Sequence, residues 1–212
     1  MNILAINTAF DYLGICIVSD DMLLANYYSK CKKRSSKIIF QALDELFQNL
    51  KMAIQQMDLI VTATGPGSYT GVRIGMTAAK TLAMVNHKPL IGINSLQVLA
   101  SLMSSPTCDA FLNCHAKEVF HARFIRDNGQ LTQQTDIGLK SLDAVSESEE
   151  YPAIFYSIAT NSLTIKNPPV SAMLQYPVPD AYMLSLLGKQ QYEISGAPPL
   201  SAIQPLYIKQ DA

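Results

Sequence analysis

Apolar residues in the first third of the chain occur in three short runs separated by polar turns, and this pattern predicts three consecutive strands. The runs are Ile3–Ile6, Gly14–Val18 and Leu23–Tyr28. Between residues 35 and 50 the apolar positions recur three and four apart, which predicts an amphipathic helix. A β-branched strand at 58–64 and a second helix at 70–85 follow. The predicted order up to residue 85 is therefore β-β-β-α-β-α.

A strand at 89–93 and a helix from 95 to about 103 complete the first half, and the rest of the chain repeats its opening meander. Alternating residues then predict strands at 110–114 and 119–125, and Asp127-Asn128-Gly129 is a strong hairpin turn. The remaining predicted elements are a return strand at 130–136, a helix at 141–150, a strand at 153–157 and a helix from 180 to about 191.

Two successive halves that each open with a three-strand meander predict a duplicated ribonuclease-H-like unit. The expected fold class is therefore α/β and actin-like. The polar segment Ser104-Ser105-Pro106-Thr107 resembles a linker, so we expect one domain at residues 1–104 and a smaller one at 105–212. A plain doubly wound nucleotide-binding domain is the alternative, but it would alternate strand and helix from the start.

Charge is scarce in this chain. Charged residues make up 16% of it, against roughly 25% in typical soluble domains. The uncharged surface is either rich in neutral polar residues or part of a partner interface, because interface cores are depleted in charge. The formal net charge of −1 disfavours a protein that binds nucleic acid unaided.

One local run is strongly basic. Its residues are Lys30, Lys32, Lys33, Arg34 and Lys37. Such a run is usually a solvated loop, and the functional alternative is a contact with a polyanion or an acidic partner.

The cysteines indicate a reducing compartment. Cys16, Cys31, Cys108 and Cys114 are scattered without a C-x-x-C pair. The N-terminus lacks the pattern of a signal peptide, and the longest uncharged stretch is too polar to cross a bilayer. We therefore expect a soluble cytoplasmic protein with no membrane segment.

The most informative segment follows the strand at 58–64 and opens the second helix. It begins Gly65-Pro66-Gly67-Ser68 and continues through Thr70. A P-loop would need lysine after Gly71, where Val72 stands, and a dinucleotide fingerprint would need glycine at Thr70. Both nucleotide motifs fail. A tight turn capped by Ser68 or Thr70 remains, and an anion could still bind there.

The second helix carries a ridge of small side chains. Gly71, Gly75, Ala79 and Ala83 recur every four residues and therefore share one face. Small residues allow another element to approach closely. Internal packing and a helix–helix interface with another subunit both account for the ridge.

The glycine-rich segment at 65–75, Gly-Pro-Gly-Ser-Tyr-Thr-Gly-Val-Arg-Ile-Gly, closely resembles the signature of the TsaB (YeaZ) family. The opening strand and turn at 3–9 resemble the first motif of that family. Glu118-Val119-Phe120 resembles the end of its D-A-R-x-x-E-V-Y motif, and the tail at 204–209 resembles its closing P-x-Y-L-R. The resemblance spans nearly the whole chain.

This resemblance implies a subunit of the machinery that makes threonylcarbamoyladenosine 3′ of the tRNA anticodon. It implies docking with the catalytic subunit TsaD, work alongside the ATPase TsaE, and access to tRNA through the complex. No catalytic residue, metal or cofactor is expected in this chain, since ATP and metal belong to the partner subunits.

The resemblance also suggests where partners dock. The two helices of the first half would form the docking surface, which would also serve a homodimer. The closest approach is expected at Gly71, Gly75, Ala79 and Ala83. A second contact, with tRNA or an acidic partner, is expected at Lys32, Lys33, Arg34 and Lys37.

The chain departs from the family pattern at three places, one of which is the family's usual histidine before the first helix, absent here with Ser35 near that place. Asn7 stands where the family has aspartate, and Asn113-Cys114-His115 replaces its D-A-R triplet. A neutral amide cannot act as a general base and coordinates an ion only weakly. These changes count against nucleotide or metal chemistry in this chain.

Three alternatives remain open. A kinase or ATPase of the actin-like superfamily would need an acidic residue on the first strand and phosphate turns in both halves. A metallopeptidase-like or metal-dependent transferase would need histidines on the first helix, which has none. An orphan homodimeric scaffold is not excluded by the sequence.

Overall fold

The protein is described here from a computed structural model, which covers residues 1–10, 12–30, 35–115, 118–141, 151–156, 173–174 and 180–208. The chain forms two compact units. The first comprises Met1–Asn94 and Pro179–Leu206, and the second comprises Ser95–Val178 and Tyr207–Ala212. The predicted boundary after residue 104 lies inside the second unit, and the chain returns to the first unit near its end.

The first unit is built on a five-stranded sheet. Its strands are β1 (Asn2–Asn7), β2 (Tyr12–Ser19), β3 (Met22–Lys30), β4 (Leu59–Gly65) and β5 (Leu90–Asn94). Their order across the sheet is β3-β2-β1-β4-β5. The first three form an antiparallel meander, whereas β4 and β5 run parallel to β1. This is the ribonuclease-H-like arrangement that the sequence predicted.

Helices cover both faces of this sheet. They are α1 (Ser35–Leu50), α2 (Tyr69–Val85) and a helix from the end of the chain, Asp180–Ser195. That last helix is α4 in chain order, after α3 (Ser95–Ser101) of the second unit. Because the central strands are covered from both sides, β1 is buried along nearly its whole length and does not alternate.

The helix α4 covers one face of the first sheet. Gly188 of α4 packs directly on the side chain of Val61, which pairs with Ala5 of β1. Residues an odd number apart along a strand point to opposite faces, and both Ala5 and its neighbour Ile6 are 0% exposed. The face opposite α4 is therefore covered as well, by the other helices of the unit. Gly75 of α2 packs on Thr8, just beyond the end of β1.

The helix α4 is attached to the β2–β3 hairpin. The Cys16 thiol donates to the carbonyl of Ala181 at 3.0 Å, and the Lys189 ammonium contacts both carboxylate oxygens of Asp21 at 2.7 Å. Asp20 and Asp21 both have positive φ, of 47° and 68°, as a two-residue type I′ hairpin turn requires. These contacts explain how a C-terminal helix belongs to the first unit.

The second unit is also built on a sheet. Its strands are β6 (Thr107–His115), β7 (Glu118–Asp127), β8 (Gln130–Gln133), β9 (Gly138–Ser141), β10 (Ala153–Tyr156) and β11 (Met173–Leu174). The order is β11-β10-β6-β7-β8, with β9 also paired to β7. The predicted hairpin turn at Asn128-Gly129 is present, with φ of 48° and 80°.

Two features of the second unit bear on the sequence predictions. The predicted helix at 141–150 lies outside the described residues apart from Ser141, which ends β9. Cys108 is buried as expected of a small apolar side chain, and burial raises the pKa of its thiol to about 11. Within the described residues, no helix is long and apolar enough to cross a membrane.

Candidate functional site

The glycine-rich turn joins β4 to α2 and lies against the segment that follows β1. Gly65 has a φ of +97°, and the Gly65–Pro66 peptide bond is cis. A Cβ atom at Gly67 would overlap the carbonyl oxygen of Ala9, and the Ser68 amide donates to that same oxygen at 2.7 Å. The turn therefore needs glycine because another stretch of this chain's own backbone fills the space beside it.

The start of α2 is capped within the chain. The Ser68 hydroxyl accepts a hydrogen bond from the Gly71 amide at 3.2 Å, so Ser68 rather than Thr70 provides the predicted cap. Thr8 donates its hydroxyl proton to the Gly71 carbonyl at 2.5 Å. The first turn of α2 is thereby fastened to the chain just after β1.

The ridge of small residues on α2 packs internally. A Cβ at Gly71 would overlap the carbonyl oxygen of Thr8, and one at Gly75 would overlap the Thr8 hydroxyl. Ala79 is 0% exposed and Ala83 is 1% exposed. Internal packing, one of the two predicted explanations of the ridge, accounts for Gly71 and Gly75, because only a residue without a side chain fits beside Thr8. That the four residues make the closest approach to a partner helix stays a prediction.

The C-terminal segment closes the other side of the turn. The Leu206 amide donates to the Thr64 carbonyl at 2.8 Å. Ile203 is 5% exposed and packs on Gly92, where a Cβ would come within 3.0 Å of its Cγ2. The carboxyl ends of β4 and β5 at the turn are therefore lined by this chain's own backbone and by Ile203.

Asn7 has a positioning role at the end of β1. It is 1% exposed, and its Oδ1 accepts a hydrogen bond from the Ala9 amide at 2.9 Å. This bond holds the Thr8–Ala9 segment where it meets α2 and the glycine-rich turn. Within the described residues, no group of three or more His, Cys, Asp or Glu side chains is arranged to hold a metal ion.

Other predicted sites are only partly described. Lys32, Lys33 and Arg34 lie outside the described residues, whereas Lys37 is exposed near the start of α1. Asn113 is 5% exposed on β6, and the side chains of Cys114 and His115 lie outside the description.

A buried ionic network in the second unit was not predicted. Asp109 is 0% exposed, and its Oδ1 lies 2.9 Å from His121 Nε2. Arg123 donates to both Asp109 oxygens, at 3.0 and 3.1 Å. The Arg123 guanidinium lies 4.2 Å from the centre of the Tyr151 ring. Arg123 thus contacts both carboxylate oxygens of Asp109, and the His121 ring contacts Oδ1 as well.

Strand register explains this network. Arg123 and Phe111 stand directly opposite Asp109 and His121 respectively in the pairing of β6 with β7. Residues opposite each other, or two apart on one strand, share a face of the sheet. Burial by itself would raise the pKa of Asp109, but the hydrogen bonds from His121 and Arg123 outweigh it, so that pKa lies below its ordinary value. An aspartate inside an apolar strand was the available signal in the sequence.

The outward faces of α1 and α2 carry large exposed apolar side chains. Phe40 on α1 is 48% exposed. On α2, Tyr69 is 59%, Met84 61% and Val85 66% exposed. The side chain of Tyr69 is covered on one ring face by the Arg73 guanidinium, 3.9 Å from the ring centre. Both helices lie on the same side of the first sheet.

The family model for TsaD, tRNA N6-adenosine threonylcarbamoyltransferase, matches residues 27–160, which is more than half of the chain. The chain belongs to this family. Its relatives include the tRNA threonylcarbamoyladenosine biosynthesis protein TsaB of Bacillus subtilis, 45% identical over 101 residues. The TsaB of Escherichia coli is 26% identical over 146 residues. The predicted resemblance to the TsaB (YeaZ) family is confirmed.

These alignments cover only part of each protein. The match to the B. subtilis protein spans 48% of this chain and 44% of that relative. The match to the E. coli protein spans 66% of this chain and 63% of the relative. The chain thus spans about half the length of the curated relatives it matches.

The fold is shared over nearly the full chain with YeaZ from Pseudomonas aeruginosa, at 19% identity and a TM-score of 0.82. A second structure from that organism, described as similar to peptidase YEAZ, has 17% identity and a TM-score of 0.84. Each comparison covers 98% of this chain and 99% of the other. At such identities the likeness concerns the fold alone, and it confirms the predicted actin-like α/β class.

Proposed function

We propose that this chain is a non-catalytic subunit in the formation of threonylcarbamoyladenosine in tRNA, and that it docks onto a TsaD-like catalytic subunit. A TsaE-like ATPase completes the assembly, and tRNA is reached through the complex. ATP and metal are held by the partner subunits. The protein works in the cytoplasm, where tRNA is modified.

The observation that carries the docking proposal is the apolar outward face of α1 and α2. We define this docking face by Phe40, Tyr69, Met84 and Val85, which are 48–66% exposed. Large apolar side chains at such exposure on neighbouring helices favour association with another protein. Apart from Arg73, the exposed residues of α2 are uncharged, as the core of an interface requires.

The non-catalytic part of the proposal is supported by the glycine-rich turn and by Asn7. The turn is filled by the Thr8–Ala9 backbone and flanked by Leu206. The buried amide of Asn7 is too weakly basic to accept a proton at neutral pH, so it cannot replace a carboxylate as general base. When TsaD is absent, the same docking face supports a homodimer.

Docking is tested by placing a carboxylate on this face. Met84→Glu should weaken binding to the TsaD-like subunit of the same cell at least about tenfold, because a charge would lose its water in an apolar interface. Ile194→Glu is the matched control, since Ile194 is 62% exposed on α4, across the sheet from Met84 at 61%. Binding is measured by titration calorimetry, with melting of each variant alone as the check on folding.

Equal binding by Met84→Glu and the parent protein would show that the docking face is misplaced. If Ile194→Glu weakened binding as much as Met84→Glu does, the loss of affinity would come from the added charge itself and not from its position on the docking face.

The absence of catalysis is tested separately. Phosphate release from ATP by the purified chain should equal that of a buffer blank, since β1 ends on Asn7, which offers no carboxylate to activate water. A rate clearly above the blank that disappears on Asn7→Ala would overturn the non-catalytic reading. Such a result would instead favour an ATPase or kinase of the actin-like superfamily.

A further inference from the structure

The turn between β7 and β8 contains a chemically reactive pair of residues, Asn128 and Gly129. Both residues are exposed, and their φ angles are 48° and 80°. A Cβ atom added at Gly129 would have no atom within 4 Å beyond its immediate chain neighbours. Packing in the described chain therefore does not crowd the backbone at this turn.

An asparagine followed by glycine can lose its side-chain amide without an enzyme. The backbone nitrogen of Gly129 attacks Cγ of Asn128 and loses its proton to solvent, while Nδ2 leaves as ammonia. The product is a five-membered succinimide ring. Water then breaks one of the two bonds between the ring nitrogen and its carbonyl carbons, which gives either aspartate or isoaspartate. Glycine favours the attack because it has no side chain beside the reacting nitrogen.

The closed hairpin opposes this reaction. The positive φ of Asn128 belongs to a two-residue turn, and the residues on either side of that turn, Asp127 and Gln130, pair with each other. The succinimide ring fixes the ψ angle of the asparagine outside the range of such a turn. The hairpin must therefore open before the ring can form.

The strand β8 is held by few contacts. It has four residues, stands last in the strand order of its sheet, and has one buried residue, Leu131, at 5% exposure. Gln97 Nε2 donates to the Leu131 carbonyl at 3.3 Å, and the Gln134 amide donates to the Arg123 carbonyl at 2.8 Å. A short strand with little buried surface opens locally at a lower free energy than the strands of the core.

We propose that Asn128 is a site of spontaneous deamidation, and that opening of the β7–β8 hairpin sets its rate. Isoaspartate adds one methylene group to the backbone, so the two-residue turn cannot close as before. Both products also place a second negative charge beside Asp127. The modified chain therefore accumulates with time and holds β8 less firmly.

The test follows the reaction by mass spectrometry after incubation of the intact protein in mildly alkaline buffer. Trypsin cleaves after Arg126 and Lys140 and releases residues 127–140, in which Asn128 is the only asparagine. Deamidation in the protein should be at least about tenfold slower than in a synthetic peptide of residues 127–140, because the peptide lacks β7 and forms no hairpin.

Variants test the role of the hairpin. Leu131→Ala should raise the rate in the protein at least about fivefold, because it removes the buried anchor of β8. Leu131→Val should give a smaller increase and serves where Leu131→Ala does not fold. Asn128→Gly keeps the turn and should abolish the signal. Asn49 is the matched control, since it is exposed and lies in the tryptic peptide 38–51, but Leu50 follows it within α1.

Four outcomes would overturn the proposal. An unmodified protein at the time when the peptide is fully converted would mean that the hairpin does not open. Equal rates in the protein and the peptide would mean that the hairpin does not control the reaction. The same conclusion would follow if folded Leu131 variants reacted like the parent. Equal modification of Asn49 and Asn128 would mean that the turn is not a special site.

The reaction takes place in the second unit and needs no partner protein, so its failure and the failure of docking are distinguishable.

Discussion

Replacing Arg123 by methionine is expected to lower the free energy of unfolding of the second unit by about 3–5 kcal/mol. The substitution leaves the Asp109 carboxylate, whose side chain is 1% exposed, with His121 as its remaining described ion-pair partner. An uncompensated buried charge costs far more than the pair contributes. Urea unfolding followed by circular dichroism measures the effect, and Arg126 cannot substitute because its Nη2 is directed to the carbonyls of Ser101 and Met103.

A second substitution separates loss of the ion pair from loss of packing. Asp109→Asn alone should cost less than Arg123→Met, because Arg123 is 26% exposed and can regain water. The double variant should be more stable than Arg123→Met alone, since the orphaned charge is gone. Additive effects would mean that Arg123 contributes through its contact with Tyr151 and not through its charge.

The network also predicts how stability depends on pH. The pKa of Asp109 is lower in the folded protein than the roughly 3.9 of an unfolded chain, so its contribution is fully present above that value. It is lost as pH falls through the lower folded pKa. In the Asp109→Asn variant the free energy of unfolding should therefore fall less steeply as the pH is lowered. Asp136→Asn, at an exposed position, should not change this pH dependence.

Gly75→Ala is expected to destabilise the first unit by about 1–3 kcal/mol, because the added methyl group overlaps the Thr8 hydroxyl. Gly71→Ala should cost at least as much, since its methyl group meets the backbone carbonyl of Thr8, which cannot rotate away. Thr77→Ala, at an exposed position of α2, is the control and should remain within about 0.5 kcal/mol of the parent. Chemical unfolding provides the three values.

Combining these changes with Thr8→Ala identifies the atom responsible. Thr8→Ala removes the hydroxyl that the new methyl group of Gly75→Ala meets. The double variant Thr8→Ala/Gly75→Ala should therefore lose less stability than the two single variants added together. Thr8→Ala leaves the backbone oxygen that Gly71→Ala meets, so the losses of Thr8→Ala and Gly71→Ala should simply add. If both glycine variants melt like the parent yet lose their partner, the ridge is an interface after all.

Much of the fold could be predicted from the hydrophobic pattern. The helix predicted at 70–85 is observed at Tyr69–Val85, and the one predicted at 35–50 is observed at Ser35–Leu50. The meander and the Asn128-Gly129 turn are also as predicted. These features depend on residues close together in sequence, so the spacing of apolar residues and the residue types in the turns are enough to predict them.

The candidate site could be predicted only in part. Gly65, Gly67 and Ser68 were expected to form a tight capped turn, and they do. That the turn is filled by Ala9 and flanked by Leu206 depends on residues more than fifty and more than a hundred positions away. The Asp109 network likewise depends on the register of β6 with β7, which the pattern of either strand alone does not specify.

The sequence by itself determined the types and order of the elements, the glycine-rich turn and the shared face of Gly71, Gly75, Ala79 and Ala83. Only the tertiary structure decided what covers that face, and at Gly71 and Gly75 the covering residue is Thr8. The tertiary structure also decided that α4 joins the first unit. The physical reason is that the spacing of small and apolar residues shows which face of an element must be buried. Which part of the chain buries that face depends on contacts between residues far apart in sequence.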